Sequence, residues 1–498
     1  MNDYEQERLI NIAKNEALLK EIGLTGIKPI KPRPVTPAKK VTPKKRKEIS
    51  TEPVARRTSS RLSGIPADSE VARKKAEDQY EAIRVQEAQK RQRVPGPIDL
   101  SDVIEDGGVW KDAKDILEQA IKSDVDDLTL ENGSRAGKEL KQLRSKLGGL
   151  NLLSRWEPNQ VKLTPERIYS AEMHPGHKKL VFAGDKLGHL GMWDVDGSKS
   201  NGIKSEEEDE AEDAEDPCIH HFKLHSRTIT AMVFDYINAS KLYTSSYDGS
   251  VRCLDLPTGV ASEVHTSDTD QPITGMQLHP DGNTVYFSTL DGEVGMRDVR
   301  VPRSTQKQAT QTYQLHDRKI GALGMHPGKP HLLVTSSLDR TMKIWDFRNI
   351  GHRRSGGNPA CVAEHTARLS VSSAFFNTQG SIVATSYDDT LKVFDVPDIG
   401  SRTVVDALEP DVSIRHNNQT GRWLTVFKAA WQQRPADGIQ KFVVGNMTRK
   451  VDMFDSQGQV LAQLQNEYIS AVPAVVAMHP SQNWVIAANA SGKGLFFS

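Results

Sequence analysis

LLVTSSLDRTMKIWDFR, residues Leu332–Arg348, decides the architecture. A short run rich in Leu, Val, Thr and Ser leads into Leu338-Asp339-Arg340, and a second run ends on Trp345 and Asp346. Two such runs around an Asp turn predict a β-hairpin, because Asp accepts tight turn conformations and bonds its own backbone. The hairpin has counterparts along the chain. The segments ending GMWDVD, RCLDLP, GMRDVR, KIWDFR, KVFDVP and DMFDSQ place Asp194, Asp255, Asp298, Asp346, Asp395 and Asp455 in equivalent positions. GLFFS places Phe497 in the seventh position without the acid. The steps between these markers are 61, 43, 48, 49, 60 and 42 residues, a repeat of one supersecondary unit lengthened by insertions.

Two further features keep the same register. His225, His265, His316 and His365 precede their marker Asp by 30, 33, 30 and 30 residues. An acid or amide recurs in the turn before the last run of each unit, at Asp185, Asp248, Asp291, Asp339, Asp388, Asn446 and Asn489. These units resemble WD repeats from about Leu152 to Ser498. The resemblance implies an all-β fold, a seven-bladed WD-repeat β-propeller whose closed ring removes exposed sheet edges. GLFFS ends as the third strand of its unit, so the outer strand must come from the start of the repeats. QVKLT, Gln160–Thr164, is the candidate.

Residues 1–150 have a different texture and are expected to be a basic, mostly disordered tail with short helices; residues 151–498 are expected to be the propeller. The whole chain of 498 residues carries no net formal charge. Lys28 to Arg93 nevertheless holds 19 Lys and Arg against 8 Asp and Glu, a block that seeks polyanions. NIAKNEALLKEIGL places Ile12, Leu19 and Ile22 on one helical face, and VARKKAEDQYEAIRVQEAQKRQR is polar nearly all round. Cys218, Cys253 and Cys361 form neither a Cys-x-x-Cys pair nor an even framework, which fits a reducing compartment. No apolar run approaches a membrane span and MNDYEQERLI is not a secretory signal, so a soluble intracellular protein without membrane contact is expected.

The succession of EIGL, KKRK, RRTSSRLSG, a charged helix, VPGPIDL and seven repeat units resembles the changed-mutation-rate family, which includes WD repeat protein 76 and is distantly similar to damage-specific DNA-binding protein 2. The resemblance implies a nuclear DNA-binding protein with a preference for UV-damaged DNA. It covers both tail and propeller.

Candidate sites follow from placement. The loop after each outer strand and the turn before each last strand open on one rim, so Lys186, Arg227, Arg318, Lys319, Arg340, Arg368, Arg449 and Lys493 should converge as a positive mouth for DNA phosphates. In PAKKVTPKKRK, the residues Lys39, Lys40, Lys44, Lys45, Arg46 and Lys47 read as a nuclear import signal that would add salt-dependent DNA affinity. Thr36 and Thr42, each before Pro, are candidate phosphorylation sites. Trp345, Asp346 and Arg348, with Asp298 and Arg300 in the preceding unit, resemble the WD-x-R box that docks propellers onto the cullin-4 ligase adaptor. The alternative is that Asp and Arg cap a turn. EEEDEAEDAED, Glu206–Asp216, reads as a solvated loop, with histone recruitment as its other reading.

Catalysis is not expected. His316, Ser337 and Asp339 have the residue types of a triad, but the set recurs at repeat spacing, as hydrogen-bonded structural groups do. There is no G-x-S-x-G elbow, phosphate loop or metal-spaced cluster, so neither cofactor nor metal is expected. His220 and His221 point to opposite strand faces. The irregular stretch Asp406–Gln440 includes Arg415 and His416, which have no repeat counterpart, and Trp423 and Trp431, both expected to be buried.

Overall fold

Seven antiparallel sheets arise from the seven sequence units. The computed structural model describes residues 93–105, 110–122, 137–199, 216–302, 310–350, 357–399 and 407–498. The tail lysines 39–47, both early helical readings, Thr36, Thr42 and nearly all of the acidic run lie outside them. Blade 4 shows the pattern: Ile320–Met325, Leu332–Ser337, Thr341–Ile350 and Pro359–Thr366 pair in order from the inside outward. Their alternating side chains fill both faces because every blade is sandwiched between two others. Tyr286 and Val294 of blade 3 thus pack with Leu323, Leu333 and Trp345 of blade 4.

The inner strands Ile168–Met173, Ile229–Phe234, Ile273–Leu278, Ile320–Met325, Val371–Phe376, Ala430–Trp431 and Val475–Met478 neighbour one another in that order, and the last meets the first. The fold is a seven-bladed β-propeller. Blade 7 has three strands of its own, Val475–Met478, Val485–Ala488 and Gly494–Phe497. Residues preceding blade 1 complete it in two pieces. Leu163 and Thr164 donate their N–H groups to Gly492 O at 2.8 and 3.1 Å, and Gly494 N–H donates to Val161 O at 3.0 Å. Nearer the C-terminus, Leu153 N–H donates to Phe496 O at 2.8 Å. QVKLT therefore supplies one part of the outer edge and Asn151–Leu153 the other.

The compact body begins well before the expected boundary at residue 150. A two-residue strand β1, Ile98–Asp99, joins the outer edge of blade 2 through Val260 and Ala261. The fully buried Arg252 donates to Val94 O and Gly96 O at 2.5 and 2.8 Å, clamping the VPGPIDL segment, while Arg93 pairs with Glu263 at 3.0 Å. Helix α1, Trp110–Lys122, buries Ala113, Ile116, Leu117 and Ala120 against Leu180, Phe182 and Phe222. Those four recur at helical spacing, which makes one apolar stripe. Helix α2, Gly137–Gly148, adds Leu143 and Leu147 to the apolar cluster of blades 6 and 7. Neither described helix is long and apolar enough to cross a membrane.

Candidate nucleic-acid interface

The repeat histidines hold the mouth loops in place. In blade 4, His316 Nδ1 lies 2.7 Å from Asp339 Oδ2 and Nε2 lies 2.7 Å from Thr335 Oγ1, which also accepts the Trp345 indole N–H at 2.8 Å. In blade 2, His225 contacts Asp248 at 3.1 Å and Thr244 at 2.9 Å. Burial alone would raise both carboxyls, but the histidines and the hydroxyls of Ser250 and Thr341 outweigh it and hold Asp248 and Asp339 below the ordinary carboxylate range. The hydroxyl in the chain is Thr335, because Ser337 turns its Oγ to Arg318 O at 3.2 Å. The apparent triad thus ties a loop to a turn. His265 and His365 depart from the pattern: the first stacks on Phe287 at 4.2 Å and the second lies 2.7 Å from Leu408 O.

His416 rebuilds the arrangement in blade 6. It lies 2.7 Å from Asn418 Oδ1 and 3.6 Å from Asp452 Oδ2, a carboxylate on the third strand standing in for the turn acid. Asp452 also accepts from Asn446 and Gln463, and is held below its ordinary pKa despite burial.

With the turns fixed, the rim can be read. Lys186, Arg227, Arg318, Arg340, Arg368 and Arg449 are exposed, and all lie in the loops and turns of that rim. One backbone position sharpens the pattern. The left-handed residue of the turn before the third strand is Gly188, Gly249, Gly292 and Gly492 in four blades, but Arg340 (φ 77°) and Arg449 (φ 66°) in blades 4 and 6 and Asp389 (φ 61°) in blade 5. A side chain there costs about 1–2 kcal/mol that glycine avoids. Both arginines keep this strained backbone while being exposed to solvent.

The other two predicted residues sit lower. Lys319 donates to the Tyr247 hydroxyl at 2.7 Å, linking blade 4 to blade 2 at the mouth of the central channel. Lys493 is half-buried and donates to Asn159 Oδ1 at 2.8 Å, beside the ring closure. Sequence reasoning missed a second lysine near Lys319, Lys428, on the segment entering blade 6. Burial, and then the nearby Lys319 charge, push its ammonium down to about 8. Arg167, also missed, donates to Arg422 O at 2.9 Å and to the Tyr169 hydroxyl at 2.7 Å. The basic arc is not a full circle, since the loops of blade 3 carry Asp268, Asp270 and Asp291.

Comparison with known proteins agrees with the geometry. The family described as WD domain, G-beta repeat matches residues 307–346. The chain is 44% identical to the DNA damage-binding protein CMR1 of Phaeosphaeria nodorum, over 99% of this chain and 98% of that protein. It is 42% identical to the cmr1 protein of Aspergillus clavatus over 99% and 98%, and 40% identical to that of Neurospora crassa over 99% and 97%. The chain belongs to the CMR1 family of WD-repeat proteins.

In this CMR1-family chain the rim opposite the mouth carries the WD-x-R residues. Arg348 makes a two-point contact with Asp346, at 3.1 Å through Nε and 2.7 Å through Nη2, and Arg300 repeats it with Asp298 at 3.0 and 2.6 Å. Each aspartate also accepts the backbone N–H of its arginine, so the pair caps the turn. Among the described residues no group of three or more His, Cys, Asp or Glu is arranged to hold a metal ion.

Trp423 is where sequence and structure part. It was expected to be buried with Trp431; Trp431 is 7% exposed and Trp423 is 81% exposed. The physical reason is its host segment. Residues 416–429 form an insertion between the outer strand of blade 5, Val412–Arg415, and the two-residue inner strand of blade 6, Ala430–Trp431; Thr425, Phe427 and Ala429 alternate into the core, but Trp423 lies in the turn that precedes that alternation.

Proposed function

We propose that this chain is a nuclear DNA-binding protein without enzymatic activity, which holds duplex DNA against the propeller mouth mainly through phosphate contacts and prefers UV-damaged DNA. The observation that carries the reading is the basic arc, above all Arg340 and Arg449 at turn positions filled by glycine in four other blades. Relatives over 40% identical along nearly the whole chain are named for DNA damage binding, which supports the same class of ligand. Phosphate contacts position a duplex without reading its sequence, so recognition here is by shape and deformability. The tail residues Lys39, Lys40, Lys44, Lys45, Arg46 and Lys47 serve nuclear import and add nonspecific affinity.

The test uses the full chain and a triple Arg227→Ala, Arg318→Ala, Arg368→Ala variant, with duplex binding measured across a salt series. Each lost phosphate contact lowers the slope of log K against log salt by about 0.9, so the variant's slope should fall by about 2–3. An unchanged slope and affinity would move the DNA site off the mouth.

The opposite rim supports a second reading, a chromatin scaffold or cullin-4 substrate receptor. Arg300 and Arg348 have side chains 67% and 53% exposed and occupy the same place on adjacent blades. If that rim docks the ligase adaptor, an Arg300→Glu, Arg348→Glu variant should lose capture of purified adaptor while keeping DNA affinity. Retained capture would sink the docking reading. Histone recruitment by Glu206–Asp216 belongs to the same reading.

A further inference from the structure

We propose that Trp423 is the lesion-sensing element of the mouth: its indole stacks on, or fills the gap left by, a base whose stacking in the duplex is weakened. The proposal rests on the mouth as the DNA site and goes beyond it by naming the residue that separates damaged from intact DNA.

Its exposure is the first ground. Trp156, Trp193, Trp345 and Trp431 are all below 8% exposed, whereas Trp423 leaves four-fifths of its surface in water. The second ground is that the indole stands on a fixed support. On its N-terminal side, Asn418 Nδ2 donates to Ser386 O and Thr390 O at 2.8 and 3.1 Å, and Gln419 Nε2 donates to Tyr387 O, all in blade 5. Immediately before it, Arg422 O accepts from Arg167. Two residues after it, Thr425 Oγ1 donates to Ile168 O of blade 1, and Phe427 is fully buried. The segment therefore bridges blades 5 and 1 on the mouth side and presents one large apolar side chain from a chain held on both flanks. A preorganised aromatic loses little freedom when it stacks.

The third ground is charge. Arg422, the residue before Trp423, is exposed, Arg167 donates to Arg422 O at 2.9 Å, and Lys186 N–H donates to Arg167 O at 2.9 Å. Lys428, five residues on, is a further lysine close enough to feel the Lys319 charge. An aromatic set among cations matches a nucleic acid, with phosphates for the cations and a base face for the ring. Asp389, which accepts from Asn418 and Gln419 at the base of the segment, is the carboxylate held nearest, and the exposed Arg422 and Lys186 point the balance toward a polyanion. Because stacking on an aromatic tolerates any base, the device senses how readily a base leaves the helix rather than which base it is.

The experiment compares the full chain, Trp423→Ala and Trp423→Phe on three duplexes of one sequence: intact, with a single abasic-site analogue, and with a cyclobutane pyrimidine dimer. Base–aromatic stacking of about 1–3 kcal/mol per base corresponds to roughly 5–150-fold, so Trp423→Ala should lose a lesion preference of that order. Its intact-duplex affinity and salt slope should hold, and Trp423→Phe should restore most of the preference. A melting temperature equal to the parent's excludes misfolding as the cause. A Trp423→Ala variant that keeps the full lesion-to-intact ratio overturns the proposal while leaving the mouth intact as the DNA site. Failure of the arginine variant to weaken binding would instead remove the mouth reading itself, so the two failures are distinguishable.

Discussion

Between pH 7 and pH 5 each of four buried histidines is expected to lower the unfolding free energy by on the order of 1–2 kcal/mol, offset in part by Glu172, whose carboxyl burial pushes up to about 8. His174, His220, His265 and His326 are each less than 10% exposed, and burial, reinforced by nearby His479, Lys199, Arg297 and Lys329 respectively, pushes each down to about 4. Two of them show the geometry directly. In the His-Pro turns, His174 Nδ1 accepts the Gly176 N–H at 3.1 Å, and His326 Nδ1 accepts those of Gly328 and Lys329, both at 3.1 Å. Protonation would turn that acceptor into a donor facing other donors. Because the folded pKa lies below the unfolded value of 6.5, the unfolded chain binds more protons through the interval. Their contribution to stability is therefore fully present above about pH 6.5 and is lost as pH falls toward 4. Chemical denaturation at fixed ionic strength should show this slope, and His326→Gln should remove its share. Stability that stayed flat to pH 5 and fell only in the carboxylate range would contradict the assignment.

The same turns show what a sequence can and cannot reveal. The blades were legible because a propeller repeats one unit, so Asp194, Asp255, Asp298, Asp346, Asp395 and Asp455 each lie in or directly after the third strand of their blade and the turn acids precede it. Asn446 and Asn489 take the turn role as read, each accepting a backbone N–H two residues on at 2.9 Å. The His316 network was legible in its ends but not its middle. Thr335 and Ser337 lie two apart on one strand and share a face, and only the fold shows which of them reaches the imidazole. His416 escaped because the insertion after it lengthens its distance to Asp455 and breaks the ruler, although its side chain does the work of a repeat histidine.

The site was legible as charge and illegible as shape. Arginines in turns could be assigned to a rim from topology alone, and the exposed arc of Arg227, Arg318, Arg340, Arg368 and Arg449 follows. Trp423 could not be assigned, because a tryptophan in an irregular segment is usually core and the tie from Thr425 to Ile168 spans 257 residues. Helix α1 was missed for a different reason. Its stripe of Ala113, Ile116, Leu117 and Ala120 was present, but it lay within a region whose overall composition reads as unfolded.

Gly492→Ala is expected to open the ring. Gly492 has φ 79°, and a Cβ there would run into the carbonyl oxygen of Thr164, the residue whose N–H reaches back to Gly492 O. Relief requires the closing strand to move, which breaks the bonds from Leu163 and Thr164 that complete blade 7. Strain of about 1–2 kcal/mol from the left-handed backbone then adds to two exchanged hydrogen bonds at about 1 kcal/mol each, for a loss of about 3–4 kcal/mol. Gly357→Ala is the control: its φ is 80° but open space surrounds it, so it should show the backbone cost alone. Because the closing strand joins the chain's two ends of the propeller, damage there should also appear as early proteolytic cutting near residues 151–167, below the main melting transition. Equal stability losses in the two variants would mean that the closure yields without cost, and that the blades, not the seam, hold the ring.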